Sequence, residues 1–548
     1  MIRGRALWTA DERFALEEDV RGAVRYRHRP PNVLHLIKRS VERSPDKVAV
    51  KDDSGVSLTY RALWRETERC AAWLKSTWGV DPGDRVALLL SSSVDYVSLF
   101  LGVLRCGAVA IPLNTKLAPT ELRRVLDCSD PRLLVVAPEY LPKVEEAWPD
   151  YPRQKLLVWP GSEPWPDSLK LPKVQEALDP GEDDCAALIF TSGTTGKPKG
   201  VILTHGNLVH SVLSYTQVLP LSEEDVTVIA VPLFYVTGLI AQLLFFLALG
   251  GTSIIMHRFE ENVLLRLIES ERVTFIHAVA TVFIKMLGAS ERGRVDLSTL
   301  RLAACGGGPV MPKTIADLKT WLPQLDFRPV YGLTETSSPA SVMPVDVNTC
   351  LERVRSAGRP IPVVDCRVVD EAGQDVPLGE IGELWVRGGV VSPAYYRNPE
   401  ATAAAHRDGW FATGDLARFD ADGFLYIQDR KKDMIIRGGE KVFPSEVEAI
   451  LTEHPAVIEA AVVGVPDSVY GESVWAFIVP ASGNTSSGEE LEAWAKKRLA
   501  RYKVPSTYVF LPELPRSANG KTLRRVLREW AEQGIPTQGA TASWRFDP

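Results

Sequence analysis

Apolar runs of strand length alternate with helical patterns through much of the first four hundred residues. Val86-Ala-Leu-Leu-Leu90, for example, precedes a helical stretch containing Tyr96 to Leu104. Wholly apolar short strands separated by helices predict parallel sheets with covering helices, an α/β architecture. Pro312 to Leu322 carries Ile315, Leu318 and Leu322 at i, i+3 and i+7 with a proline near its start, which predicts a helix after a glycine-rich turn. From Cys366 to Arg387 the rhythm changes. Cys366–Val369 and Glu383–Val386 read as short strands divided by Glu371-Ala-Gly-Gln374 and Pro377-Leu-Gly-Glu380 turns, so a small β-rich subdomain is expected there.

The chain past Arg430 is long enough for a separate α+β unit. Val457–Val465 and Ser473–Val479 read as strands, Leu491, Ala495 and Leu499 mark an amphipathic helix, and residues 481–488 a surface loop. The polar tail after Gly534 is expected to be loosely ordered. The most hydrophobic segment, Leu233 to Leu249, approaches the length of a membrane span but contains Thr237, Gly238 and Gln242 and stops at Gly250-Gly251. It is expected to be a buried helix beside a substrate cavity.

Composition narrows the function. At 548 residues several structural units are expected, and a net charge of −6 gives no basic footprint for nucleic acid. Any anion site must be local. The seven cysteines are dispersed without metal-ligand spacing, and the first thirty residues lack the apolar core of an export signal. Together these predict a reducing, cytoplasmic setting without structural zinc.

One segment stands out chemically: Leu188-Ile-Phe-Thr-Ser-Gly-Thr-Thr-Gly-Lys-Pro-Lys-Gly200 follows an apolar run with hydroxyls, glycines and two lysines. Gly193 and Gly196 permit turns in which successive N–H groups face an anion. Thr191, Ser192, Thr194 and Thr195 add donors, and Lys197 and Lys199 add charge. It is not a Walker loop, whose order is different. Five further segments accompany it: Cys305-Gly-Gly-Gly-Pro309; Tyr331-Gly-Leu-Thr-Glu335; Tyr395-Tyr396 with Trp410-Phe-Ala-Thr-Gly-Asp415; Asp429-Arg-Lys-Lys-Asp433 with Arg437-Gly-Gly-Glu-Lys441; and Pro515-Arg-Ser-Ala-Asn-Gly-Lys521.

Taken in this order, from about Pro31 to Val526, these strings resemble the adenylate-forming superfamily, in its acyl-CoA synthetase branch. The resemblance implies a large N-terminal domain, residues 1–432, that binds ATP and a carboxylic acid, and a small mobile α+β lid domain, residues 433–548, that carries a catalytic lysine. It places Thr191, Ser192, Gly193, Thr194, Thr195 and Lys199 on the β- and γ-phosphates, with Mg²⁺ also bound by Glu335. Gly306, Gly307, Gly308, Tyr331 and Gly332 belong to the nucleotide site, Thr334 contacts the adenylate phosphate, and Asp415 and Arg430 take the ribose hydroxyls. Asp433 is the hinge, Lys521 stabilises the adenylation transition state, and Gly438, Gly439 and Lys441 lie by the channel for CoA.

The same resemblance assigns the acid pocket to Tyr235, Gly238, Ala278, Thr281, Gly306, Gly307, Ser338 and Pro339. Tyr235 is a departure, because histidine is common at that place in the family and tyrosine cannot serve as a base near neutrality. No Arg or Lys sits among these positions to pair a second carboxylate, and no Asp to meet an α-ammonium, so a hydrophobic monocarboxylic acid is expected. The implied reaction forms acyl-AMP with release of pyrophosphate, then transfers the acyl group to the thiol of CoA with release of AMP. A ligase that loads a carrier-protein phosphopantetheine is the alternative, and a non-catalytic acyl- or nucleotide-binding regulator a third reading. The expected partners are the acid, ATP and CoA, with no integral membrane segment and a homodimer as a possible assembly.

Overall fold

The structure is a computed structural model that describes residues 1–9, 11–159, 179–192, 198–347, 353–481, 487–516, 522–533 and 542–545. It divides into two compact units. The first comprises Met1–Cys366 with Val386–Ala412, the second Arg367–Trp385 with Thr413–Pro548. The chain passes between them within the strands Val364–Val369, Gly382–Gly388 and Trp410–Phe419.

Two largely parallel sheets build the first unit. One runs in the order Pro198–Thr204, Cys185–Ser192, Val109–Pro112, Arg85–Leu89, Leu133–Val136, Leu156–Val158, and only its first pair is antiparallel. The other has at its centre Asp326–Tyr331, Leu302–Cys305, Phe275–Ala278, Val226–Ile229, Thr252–Ile255 and Val48–Asp52, all parallel. Leu302–Cys305 and Phe275–Ala278 are buried at every position, as strands covered on both faces must be. The expected helices around Tyr96–Leu104 and Pro312–Leu322 are present as Val94–Arg105 and Pro312–Trp321.

The apolar segment 233–249 departs in detail. Pro232 and the hydrogen bond from the Tyr235 amide to its carbonyl (3.1 Å) form a turn, and helix begins only at Val236. Leu239–Leu244 then winds as a π-helix before Phe245–Leu249 returns to α geometry and stops at Gly250 in the left-handed region. Gln242 lies in the π turn, and its Nε2 donates to Thr227 Oγ1 and the Val228 carbonyl, both at 3.0 Å. No helix among the described residues is long and apolar enough to cross a membrane.

The second unit places a sheet between helices. Strands Val457–Asp467 and Gly471–Pro480 pair antiparallel, and Thr507–Phe510 joins the latter in parallel. Their alternation sends Val462, Val474, Ala476 and Ile478 to one core, with Leu451, Leu491 and Ala495 from helices Pro444–Thr452 and Gly488–Lys496. Ala461, Val463, Val465 and Phe477 go to the opposite core with Leu527 from helix Arg524–Gln533. Leu499 packs just beyond the end of its predicted helix. Of the tail after Gly534, the described residues Ala542–Arg545 pair antiparallel with Thr507–Phe510, whose free edge offers unpaired backbone groups; the rest of the tail lies outside the described residues.

Glu448, buried on helix Pro444–Thr452, accepts from Arg524 Nη2 at 2.6 and 2.8 Å and from the Val462 amide at 2.8 Å. Removing the carboxylate strands a largely buried guanidinium. Glu448→Ala is therefore expected to destabilise this unit by about 3 kcal/mol, whereas pairing it with Arg524→Met should recover much of the loss; thermal melts of the two variants measure the difference.

Candidate active site

Three candidate segments sit where adjacent parallel strands end. Phe275–Ala278 pairs with Leu302–Cys305, and that with Asp326–Tyr331, so Val279–Thr281, Gly306–Gly308 and Gly332–Glu335 leave the sheet at the same edge. The Gly306 amide donates to the Ala278 carbonyl at 3.1 Å, and Gly307 turns the chain with φ at 79°. Nothing stands within 4 Å of where a Cβ on Gly308 would lie. Such an edge of a parallel sheet is where open α/β folds bind ligands.

After Tyr331 the chain folds back on itself. A Cβ on Gly332 would stand 1.4 Å from the Ser338 carbonyl oxygen, so only glycine fits. Thr334–Thr336 forms one short turn, after which Ser337 (φ 53°) and Ser338 (φ 101°) occupy backbone conformations that side chains disfavour. Each costs on the order of 1 to 3 kcal/mol. The strain is held by hydrogen bonds from Ser211 Oγ to the Ser337 carbonyl (2.8 Å), from Ser337 Oγ to the Val390 carbonyl (2.8 Å), and between Tyr215 and Ser338 hydroxyls (2.9 Å).

The phosphate-grip candidate begins and ends on the two strands of a β-hairpin. Cys185–Ser192 pairs antiparallel with Pro198–Thr204, with Thr191 opposite Lys199, so the two flanks read from sequence as loop are strand ends. Gly193, Thr194, Thr195, Gly196 and Lys197 lie outside the described residues. Residues 394–396 run beside the second strand, with Ile202 donating to the Ala394 carbonyl (3.1 Å) and Tyr396 to that of Gly200 (2.7 Å). This backbone pairing brings Tyr395 to Lys199, whose Nζ stands 5.0 Å from the tyrosine ring centroid. The Tyr395 hydroxyl donates to Glu335 Oε1 at 2.8 Å, and the Ser392 amide to the Glu335 carbonyl at 2.8 Å. Lys199, Tyr395 and Glu335 thus meet, and Tyr395 is the member whose contact the sequence did not reveal.

Around the expected acid pocket, the Tyr235 hydroxyl accepts from Asn114 Nδ2 at 3.3 Å, and burial pushes its ionisation well above that of a free phenol. Gly238 is another obligatory glycine, since a Cβ there would be 2.3 Å from the Val231 carbonyl oxygen. Ala278 and Pro339 are buried, and Thr281 is half-buried in helix Ala280–Gly288. Beneath Gly306 lies a residue that sequence reasoning missed, His277. It is 1% exposed, its ring centroid is 5.9 Å from that of Tyr215, and its Nε2 is 3.3 Å from where a Cβ on Gly306 would stand. A lone histidine in the apolar strand Phe275–Ala278 was the available signal.

The second unit holds the remaining candidates. Asp415, buried on Trp410–Phe419, lies directly opposite Arg430 on Leu425–Arg430, and Arg430 Nε reaches its Oδ1 at 2.7 Å. Asp433 is buried and accepts from Arg528 Nη2 at 2.9 Å. Gly438 (φ 59°) and Gly439 (φ 86°) form the two-residue turn between Ile435–Arg437 and Glu440–Val442, where both positions require the left-handed region. Lys441 is exposed on the second of these strands. Lys521 lies outside the described residues.

Hydroxyls and a lysine beside a carboxylate at the ends of parallel strands are the kind of groups that a nucleoside-phosphate site needs. Residues 37–396 match the model of the AMP-binding enzyme family, and residues 446–521 that of the AMP-binding enzyme C-terminal domain. The chain belongs to the AMP-binding enzyme family, within the adenylate-forming superfamily. It is 39% identical to a feruloyl-CoA synthase of Amycolatopsis sp, covering 89% of this chain and 97% of that protein. It is 33% identical to a long-chain-fatty-acid–CoA ligase of Mycobacterium tuberculosis over 92% and 99% of the two chains. Among solved structures, ATP-bound MatB from Rhodopseudomonas palustris superimposes with a TM-score of 0.82 at 30% identity, covering 92% of this chain and 99% of that one.

Two measurements follow from this geometry. Tyr395→Phe removes a neutral donor from Glu335, and is expected to lower kcat/KM for ATP about tenfold while leaving the melting temperature nearly unchanged. Burial also depresses three histidines, His205 to about 4 and His210 and His277 to about 3, so each is neutral when folded. Because the unfolded chain binds these protons more tightly, stability is full above about pH 6.5. It should fall by about 1.4 kcal/mol per pH unit for each histidine as the pH drops towards 4. Replacing one of them by Gln should remove about a third of that histidine contribution in a pH series of thermal melts.

Proposed function

We propose that the chain is an ATP-dependent acyl-CoA synthetase acting on a hydrophobic monocarboxylic acid. A carboxylate oxygen attacks the α-phosphorus of ATP, the bond to the β-phosphate oxygen breaks, and acyl-AMP and pyrophosphate form. The thiolate of CoA then attacks the acyl carbon and AMP leaves. The observation that carries this reading is the meeting of Lys199, Tyr395 and Glu335 at the base of the Thr191–Lys199 hairpin, in a chain that matches CoA ligases over about nine-tenths of its length.

In this reading Thr191, Ser192, Gly193, Thr194, Thr195 and Lys199 hold the β- and γ-phosphates, and pyrophosphate leaves against them. Gly306–Gly308, Tyr331 and Gly332 border the adenine, Thr334 the α-phosphate, and Asp415 with Arg430 the ribose. Glu335 would hold Mg²⁺. A single carboxylate near hydroxyl groups suits an ion bound mainly through substrate phosphates and water, and no cluster of three acidic, His or Cys ligands occurs among the described residues. When bound, the ion would neutralise phosphate charge as it shifts to the leaving group. Lys521 supplies positive charge to the first half-reaction, Asp433 serves as the pivot of the lid domain 433–548, and Gly438, Gly439 and Lys441 serve the second half-reaction.

Tyr235, Gly238, Ala278, Thr281, Gly306, Gly307, Ser338 and Pro339 line the acid pocket. With its hydroxyl engaged by Asn114 and its ionisation suppressed, Tyr235 acts as a wall and not as a base. The two curated relatives described above are named for ferulic and long-chain fatty acids, both monocarboxylates with large apolar parts. Four buried free thiols, Cys70, Cys106, Cys305 and Cys366, suit a reducing cytoplasm.

Incubation with an acid panel, ATP, CoA and Mg²⁺ should yield AMP and pyrophosphate; ADP would sink the reading. Lys521→Ala should lose acyl-AMP formation by roughly 10²- to 10³-fold while sparing thioester formation from supplied acyl-AMP. Equal loss in both half-reactions would refute the role given to Lys521. Chelation by EDTA should stop the first half-reaction, with activity restored on adding Mg²⁺.

A further inference from the structure

His277 has no role in the reaction described above, yet its surroundings make it hard to explain as packing. It sits on the strand Phe275–Ala278 with its ring against Tyr215 and Phe275, at centroid distances of 5.9 and 6.5 Å. A neutral imidazole carries one donor and one acceptor, and buried polar groups of this kind nearly always find partners. Among the described residues, Nδ1 has none. The nearest hydroxyl-bearing aromatic cannot serve readily, because the Tyr215 hydroxyl is already paired with Ser338 Oγ at 2.9 Å.

The other nitrogen meets a gap in the side-chain wall. Position 306 is glycine, and a Cβ there would lie 3.3 Å from His277 Nε2 and 3.0 Å from the Val330 carbonyl oxygen. With no side chain at 306, the imidazole edge packs directly against the main chain of the turn Gly306–Gly308. Gly306 and Ser338, its neighbours through space and through Tyr215, are both positions assigned above to the acid pocket. Aromatic rings crowd the same region, with Tyr215 5.5 Å from Phe245 and Phe234 4.6 Å from Tyr235.

We infer that His277 forms a polar floor to the acid pocket and hydrogen-bonds a substituent on the acid, so that the enzyme prefers aromatic acids bearing a ring hydroxyl over unsubstituted or plain fatty acids. This rests on the synthetase reading and sharpens its substrate class. The imidazole is neutral when buried, so Nε2 can accept from a phenol in one tautomer or donate to its oxygen in the other. An acid without such a group leaves His277 unpaired, and that cost is the source of discrimination.

The test compares cinnamate with its 2-, 3- and 4-hydroxy derivatives and with decanoate, following pyrophosphate release by wild type, His277→Leu and His277→Gln. Wild type should favour at least one hydroxylated acid over cinnamate by about tenfold in kcat/KM. His277→Leu should erase that preference through the KM for the acid, with the KM for ATP within about twofold of wild type, and His277→Gln should restore part of it. Wild-type turnover without discrimination, a preference that survives His277→Leu, or a change confined to the KM for ATP would each overturn the inference. Should the Leu variant fail to fold, thermal shifts of wild type with paired non-hydrolysable cinnamoyl and hydroxycinnamoyl adenylate mimics decide it: equal shifts refute it, a larger shift with the hydroxylated mimic supports it. Failure of the synthetase reading looks different, as no acid would release pyrophosphate at all.

Discussion

Parallel strands that share a sheet must all end on one side, and the first unit depends on that constraint. With Ala278 in register with Cys305, and Cys305 with Pro329, the residues that follow each strand are delivered to a common edge whatever their separation in sequence. Val279–Thr281, Gly306–Gly308 and Gly332–Glu335 need no contact with one another to be aligned. Hydrogen bonding buried in a two-sided sheet does the alignment, and the loops are left free to carry chemistry. The antiparallel hairpin of Cys185–Ser192 and Pro198–Thr204 comes from the other sheet and is joined to Glu335 through residues 392–396.

Much of this was legible in the chain because buried strands, parallel or antiparallel, are rich in apolar residues. Val86–Leu90, Cys366–Val369 and Val457–Val465 all read correctly as strands, the first as a short continuous apolar run and the others by their Val-rich content. The segment 233–249 read correctly as buried and helical but not in its winding, because a π turn depends on where Gln242 finds Thr227 and the Val228 carbonyl, fifteen residues or so away. The strand at Ala542–Arg545 escaped notice for a related reason: its partner edge, Thr507–Phe510, exists only once the sheet is assembled.

The candidate site could be marked out from its glycines, hydroxyls and charges, which form ordered strings. Its supports were not. Asn114, Tyr215 and Ser211 lie on elements distant in sequence from the residues they hold, and nothing in their local context distinguishes them. The strain at Ser337 and Ser338 is of the same kind. It follows from Gly332 lying against the Ser338 carbonyl, a proximity that no periodicity encodes.

The obligatory glycines also bear on how such an enzyme can change its diet. At Gly238 and Gly332 the backbone of a neighbouring segment already occupies the space a side chain would need, so these positions are closed to adaptive substitution. In the acid pocket proposed above, evolution towards a new acid would then pass through places where a side chain can be exchanged without moving the main chain, among them 235 and 277. A pocket framed by immovable backbone can be retuned in polarity and depth, one residue at a time, while the course of its main chain is inherited intact.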